Sequence, residues 1–200
     1  SAQRIELGMC PVDAIRVAYT GELGWELHHP IEMQRYLWDQ LMAAGAKHGL
    51  KLVGARAQNW LRQEKSYRAF GTELGRDATP LEADLPRFVD LSKDFHGKAA
   101  MEATGIRSKC VTVLIDGPAD ADPWGKEALI DPATGAKVGR LTSGGYSVVF
   151  GKQIGMGYVS VEKAEVGTKL KVRMMRELWD AEVVQDSPYD PANANIRVDG

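Results

Sequence analysis

Between residues 109 and 185 the chain has apolar runs too short for helices, and this half constrains the fold most. CVTVLIDG (110–117), EALIDPATGAKVGRLTSGG (127–145), IGMGYVSVE (154–162), GTKLKVRMM (167–175) and DAEVVQ (180–185) follow one another, broken by glycine, proline and aspartate. Short β-rich runs with turn residues between them read as antiparallel strands closing into a small barrel or stacking as a sandwich. DPATG (131–135) joins two apolar runs and reads as a hairpin turn. The pattern changes near residues 104–108, which predicts two parts, residues 1–106 and 107–200.

The front part mixes periods, so the whole chain reads as α+β. In residues 13–30 two β-rich runs flank Gly21, Glu22, Leu23 and Gly24, the pattern of a strand pair joined by a tight glycine turn. Met33, Leu37 and Leu41 recur every four residues, with Gly45 and Gly49 behind them, which predicts an amphipathic helix over 31–48. Ala57, Trp60, Leu61 and Glu64 predict a second helix over 55–67. Residues 71–87, with Gly71, Gly75, Pro80 and Pro86, form a long loop in which Asp77 or Thr79 accepts backbone N–H groups before Pro80. A short strand over 88–91 and a short helix after Gly97 complete this half.

Composition excludes several classes. The 25 Lys and Arg residues against 27 Asp and Glu give a net charge of −2 without a basic stripe, which argues against a nucleic-acid surface. No apolar run approaches the roughly 18 residues of a membrane span. Cys10 and Cys110 stand alone and read as buried thiols of a protein in a reducing compartment, here the cytoplasm. His28, His29, His48 and His96 lack metal-ligand spacing, so no metal site is expected. The glycines of 151–157 lack a phosphate-binding spacing and a following helix. Ser1 is not a natural start, which predicts a piece of a longer chain.

Several strings are more specific. RVAYTGELGWEL (16–27), LRQEKSYR (61–68), GTEL (71–74), DATPLEA (77–83), DFHGK (94–98) and GRLTSGGYS (139–147) followed by IGMGYV (154–159) resemble, in order, successive blocks of the glycine cleavage T-protein (aminomethyltransferase) family. EKSYR (64–68) and SPYDP (187–191) are most similar to the folate-binding portion of its members fused to dimethylglycine or sarcosine dehydrogenases. The resemblance implies the C-terminal portion of a folate-binding α/β domain followed by a small antiparallel β-barrel or sandwich domain. Its implied function is part of a tetrahydrofolate-dependent aminomethyl or methyl transferase. The alternatives are an O- or S-methyl demethylase of the same family and a non-catalytic folate-binding or regulatory relative.

The resemblance also implies the site. Glu26 matches the family glutamate that holds the pterin ring of folate, since a carboxylate accepts from two adjacent N–H donors; on residue pattern alone it is equally a solvated strand glutamate. Tyr19 offers an aromatic face, or packs in a core. Gln58 stands where the family has a folate-binding arginine. Arg62, one turn on, lies on the same helical face and is the candidate replacement, or else the anchor of an ion pair. Arg56 points about 200° away from Gln58. The catalytic aspartate is expected upstream of residue 1, and FAD only in a preceding domain. The implied partners are folate, a small methylated amine or other methyl donor, and the rest of the longer chain. The 200-residue chain alone is therefore expected to show no transferase or demethylase turnover with any amine and tetrahydrofolate; turnover above a buffer control would refute the resemblance.

Overall fold

The computed structural model describes residues 1–118 and 120–197. Packing divides the chain into two units, residues 1–58 with 192 onward, and residues 59–191.

The first unit is a three-stranded antiparallel sheet, β1 (Ala2–Leu7), β2 (Cys10–Ile15) and β3 (Glu26–His28), with β2 in the centre. Along β2 the residues Cys10, Val12 and Ala14 are buried, the period of two that puts alternate side chains on one face. They pack with Leu37, Met33 and Tyr36 of the helical segment and with Ile5, Leu7 and Leu27. That segment is a 3-10 turn (Ile31–Met33), α1 (Gln34–Gly45) and a second 3-10 turn (Ala46–His48), the span that the four-residue spacing predicts. It stops at Gly49, whose φ of +69° is a left-handed state that glycine adopts without steric cost. The β2–β3 pair is also as expected, but the tight turn is not. The ladder ends at Ile15 opposite Glu26, so residues 16–25 leave the sheet as a long connection.

The second unit is built on a closed barrel of six antiparallel strands. Its strands are β4 (Ser108–Ile115), β5 (Ala128–Ile130), β6 (Lys137–Ser147), β7 (Lys152–Ser160), β8 (Lys169–Met174) and β9 (Glu177–Val184). The order around the barrel is β4-β7-β6-β5-β8-β9, and β4 pairs with β9 to close it. The barrel form of the expectation is the one realised. Closure removes free sheet edges, and its interior is filled by Val111, Val113, Ile115, Leu129, Leu141, Leu170 and Val172, among others. The hairpin turn stands where DPATG places it, with the Gly135 N–H donating to the Asp131 carbonyl at 2.9 Å. Of the glycines of 151–157, Gly151 takes a left-handed φ of +62° in the turn before β7, and Gly157 is explained by strand packing, since a Cβ there would run into the Arg140 carbonyl oxygen.

Helix α2 (Ala55–Glu64) and α3 (Lys98–Thr104) are present as predicted, but residues 88–91 are not a strand. Pro86 lacks an N–H and starts a 3-10 turn (Pro86–Phe88) instead, leaving Phe88 71% exposed. The long loop is held to the barrel rather than standing free. The Thr79 hydroxyl accepts the Glu82 N–H at 3.2 Å, while the Glu82 carboxylate accepts the Thr79 N–H at 2.8 Å, a reciprocal capping box that spans Pro80 and Leu81. Arg107 donates its Nε to Glu82 at 2.9 Å, and the Cys110 N–H of β4 donates to the Glu82 carbonyl at 2.8 Å. The composition change at 104–108 thus marks where strands begin, while the packing division falls within α2.

The Arg107 hydrogen bond, opposed by burial and helped by the Thr79 N–H, holds the Glu82 carboxyl down at about 2. Since the unfolded value is about 4.3, the stability this group contributes is complete above that pH and is lost as pH falls from about 4.3 toward 2. Thermal melts over that window should show a steep loss of melting temperature that Glu82→Gln makes shallower; an unchanged slope would deny Glu82 the role.

Candidate functional site

The candidate residues fall in different settings. Glu26 starts β3 with its side chain 58% exposed, and its Oε2 lies 3.3 Å from Nε2 of His28, the next residue on the same strand face. Tyr19 lies in the 16–25 connection, 37% exposed. Gln58 is exposed on α2. These three belong to the first unit, and Arg62 belongs to the second.

Beside the connection the structure opens a cleft of about 350 Å3, walled by Val17, Ala18, Leu23 and Gly24 and lined by Arg16 and Arg197. Arg16 donates from Nη2 to the Ile196 carbonyl at 3.2 Å, which ties the C-terminal segment to this cleft. Neither arginine was singled out by sequence reasoning. Arg197 lies 181 positions beyond Arg16, and no local spacing could pair them.

Arg62 shares the helix with Gln58 as expected, but its guanidinium has a different set of partners from those a folate would supply. It is 1% exposed. Its Nη1 donates to Glu73 Oε2 at 2.7 Å and to the Tyr67 carbonyl at 2.9 Å, and its Nε donates to Asn59 Oδ1 at 2.9 Å. Glu73 is itself saturated. Its Oε2 also accepts the Ala69 N–H at 2.9 Å and the Thr72 hydroxyl at 2.7 Å, and its Oε1 accepts the hydroxyls of Thr142, at 2.7 Å, and Ser143. Burial raises the Glu73 pKa, but the Arg62 charge and the hydrogen bonds from Ser143, Ala69 and Thr142 outweigh it and hold the carboxyl below its ordinary range.

The two strings EKSYR and SPYDP, far apart in sequence, are in direct contact. The Ser187 N–H donates to the Ser66 hydroxyl oxygen at 2.9 Å, the Ser187 hydroxyl donates to the Lys65 carbonyl at 2.7 Å, and the Tyr189 N–H donates to the Glu64 carbonyl at 3.0 Å. Lys65 is buried and spends its ammonium on the carbonyls of Tyr189, at 3.1 Å, and Asp190, at 2.7 Å. These residues are architecture of the second unit.

Residues 1–93 match the family model of the GCVT N-terminal domain, and residues 109–190 match that of the glycine cleavage T-protein C-terminal barrel domain. The chain belongs to the glycine cleavage T-protein family. It is 40% identical over 199 residues to mitochondrial dimethylglycine dehydrogenase of Mus musculus, covering 95% of this chain and 22% of that protein. It is 36% identical over 183 residues to an aminomethyltransferase of Thermosynechococcus vestitus, covering 90% of this chain and 48% of that one. The crystal structure of aminomethyltransferase T from Bartonella henselae matches with a TM-score of 0.79 at 25% identity, over 90% of this chain and 50% of that one. The chain therefore spans about half the length of the aminomethyltransferases and about a fifth of the dehydrogenase.

Because Arg62 is the sole cation on the buried Glu73 carboxylate among the described residues, Arg62→Ala should cost about 3–5 kcal/mol of unfolding free energy. Gln58→Ala, at an exposed helix position, should change it by less than about 0.5 kcal/mol. Urea denaturation of both variants measures this; similar stabilities would remove the anchoring role from Arg62.

Proposed function

We propose that the chain is the folate-binding portion of a tetrahydrofolate-dependent one-carbon transferase of the kind fused to dimethylglycine or sarcosine dehydrogenases. The observation that carries this reading is the 40% identity to a dimethylglycine dehydrogenase across 95% of the chain. That alignment spans the Glu26 strand and the barrel alike. Aminomethyl transfer is the activity named for the second group of relatives.

The residues present fit a folate. Glu26 Oε2 engages His28, and Oε1 has no partner among the described residues, so the carboxylate remains open to the paired N–H donors of a pterin. Tyr19 supplies an aromatic surface on the connection that leads into Glu26. Gln58 brings no charge to the position the family fills with arginine, and the guanidinium groups of Arg16 and Arg197 in the neighbouring cleft compensate by holding the glutamate carboxylate of the ligand. Arg62 serves as an anchor and positions α2. Bound tetrahydrofolate supplies the nucleophilic nitrogen that accepts a one-carbon unit. The protein's share is to fix that ring against its donor, and such positioning is a large part of the rate gain.

The donor is a small methylated amine, the catalytic aspartate belongs to a preceding segment, and any FAD belongs to a further domain of the longer protein. Gln58 favours one second reading, a demethylase acting on an O- or S-methyl donor. The buried free thiols Cys10 and Cys110 fit a reducing compartment such as the cytoplasm, and no helix among the described residues is long and apolar enough to cross a membrane.

Glu26→Gln keeps the volume and one acceptor while removing the charge. It should weaken 5-formyl-tetrahydrofolate binding by about 30-fold, the equivalent of about 2 kcal/mol, in calorimetric titrations of the full-length protein. Unchanged affinity alongside clear wild-type binding would mean that Glu26 is a solvated strand residue and that the pterin sits elsewhere.

A further inference from the structure

In the second unit, a pocket of about 400 Å3 opens where residues 71–78 meet the outside of the barrel. Its hydroxyls are mostly committed: those of Thr72 and Thr142 donate to the Glu73 carboxylate, and that of Tyr158 donates to the Glu73 carbonyl at 2.7 Å. Its charges are not. Lys126 and Arg140 line the pocket, and neither has an ion pair or side-chain hydrogen bond among the described residues. Lys169 and Lys171 meet Glu182 and Asp180, both at 2.6 Å, whereas Lys137, Arg173 and Arg176 are unpaired among the described residues like Lys126 and Arg140; what distinguishes the latter two is that they line the same pocket. Of the acids lining the pocket, Glu73 is paired with Arg62, while the Asp77 carboxylate has no ion pair among the described residues, Arg107 being paired with Glu82 and donating its Nη2 only to the Asp77 backbone carbonyl at 3.1 Å. Two cations thus stand against one open carboxylate. The uncompensated charge is therefore positive.

The backbone sets the two cations side by side. Arg140 stands opposite Tyr158 in the β6–β7 register, and the Lys126 N–H donates to the carbonyl of the next residue, Leu141, at 2.7 Å. Lys126 has φ +78°, a left-handed state that favours glycine or asparagine. Gly125 before it approaches β6 so closely that a Cβ would lie 2.4 Å from the Thr142 carbonyl oxygen. An amine is thus kept in the pocket at a position where glycine would sit with less strain, the kind of local cost that points to a ligand.

We propose that this pocket binds a small oxyanion, a carboxylate or a phosphate, between the Lys126 ammonium and the Arg140 guanidinium, with the Ser108 hydroxyl as a further donor. The site is independent of the folate reading, since it uses none of the same residues.

Inorganic phosphate and glutarate are titrated separately into the protein at low ionic strength and followed by calorimetry. Saturable binding with a Kd of about 1 mM or tighter is expected for at least one. Phosphate alone identifies a phosphoryl ligand, glutarate alone a carboxylate ligand, and both a general oxyanion site. Arg140→Ala should lower affinity about tenfold or more. Lys126→Gly should do the same while leaving the melting temperature unchanged or raised, because glycine relaxes the left-handed backbone. Arg173→Ala, an exposed cation of β8 outside the pocket, should change neither. No saturable binding by either anion overturns the proposal, as does undiminished affinity in the Lys126→Gly/Arg140→Ala double variant. A lowered melting temperature with unchanged affinity in Lys126→Gly also overturns it, by assigning the lysine to packing.

Discussion

The second unit depends on one buried ion pair, Arg62 with Glu73. Two unit charges taken out of water cost several kcal/mol each unless every lone pair and proton is answered, and here they are answered from three directions. Helix α2 brings the guanidinium, the loop brings the Ala69 N–H and the Thr72 hydroxyl, and β6 brings the hydroxyls of Thr142 and Ser143. The pair therefore joins helix, loop and barrel at one point. Removing either partner would leave the other as an orphaned buried charge.

The same logic continues along the chain. Arg62, Gln63, Glu64, Lys65 and Ser66 are five consecutive polar residues, all buried. Such a run is tolerable only because each charge finds a partner nearby. Glu64 bonds the Ser147 hydroxyl, Lys65 the Tyr189 and Asp190 carbonyls, and Ser66 the Thr112 hydroxyl at 2.7 Å. Arg68 adds Asp186 at 2.7 Å and the Ala83 carbonyl at 2.9 Å. This network explains why the loop, which precedes the strands in sequence, packs as part of the barrel unit.

The side chains proposed to meet ligands are exposed where this frame is buried. Among the described residues Glu26 meets only His28, and Arg16 and Arg197 line an open cleft. Charges that bind a ligand must be available before it arrives, whereas charges that hold a fold are consumed in holding it. By that criterion Arg62 is part of the frame, and Glu26, Arg197, Lys126 and Arg140 stand outside it as the groups proposed for recognition.

Local pattern was enough for much of the architecture. The spacing of Met33, Leu37 and Leu41 and the glycine at 49 determined the helical segment, because both signals act within a turn or two of backbone. The short β-rich runs and the DPATG turn determined strands and a hairpin for the same reason. The order of the family blocks determined the family. The strand expected over 88–91 was lost to Pro86, whose missing N–H and fixed φ favoured a 3-10 turn over a ladder. Only the tertiary structure decided whether the strands form a barrel or a sandwich, since closure depends on the β4–β9 pairing of residues 112–115 with 181–184. Only it separated Arg62 from Gln58 in role: helical periodicity puts them on one face, but burial and the carboxylate of Glu73, eleven residues on, commit Arg62 to the fold. Such partnerships, like Arg16 with the segment carrying Arg197, are made by chain segments that meet only when folded, and no spacing along the sequence records them.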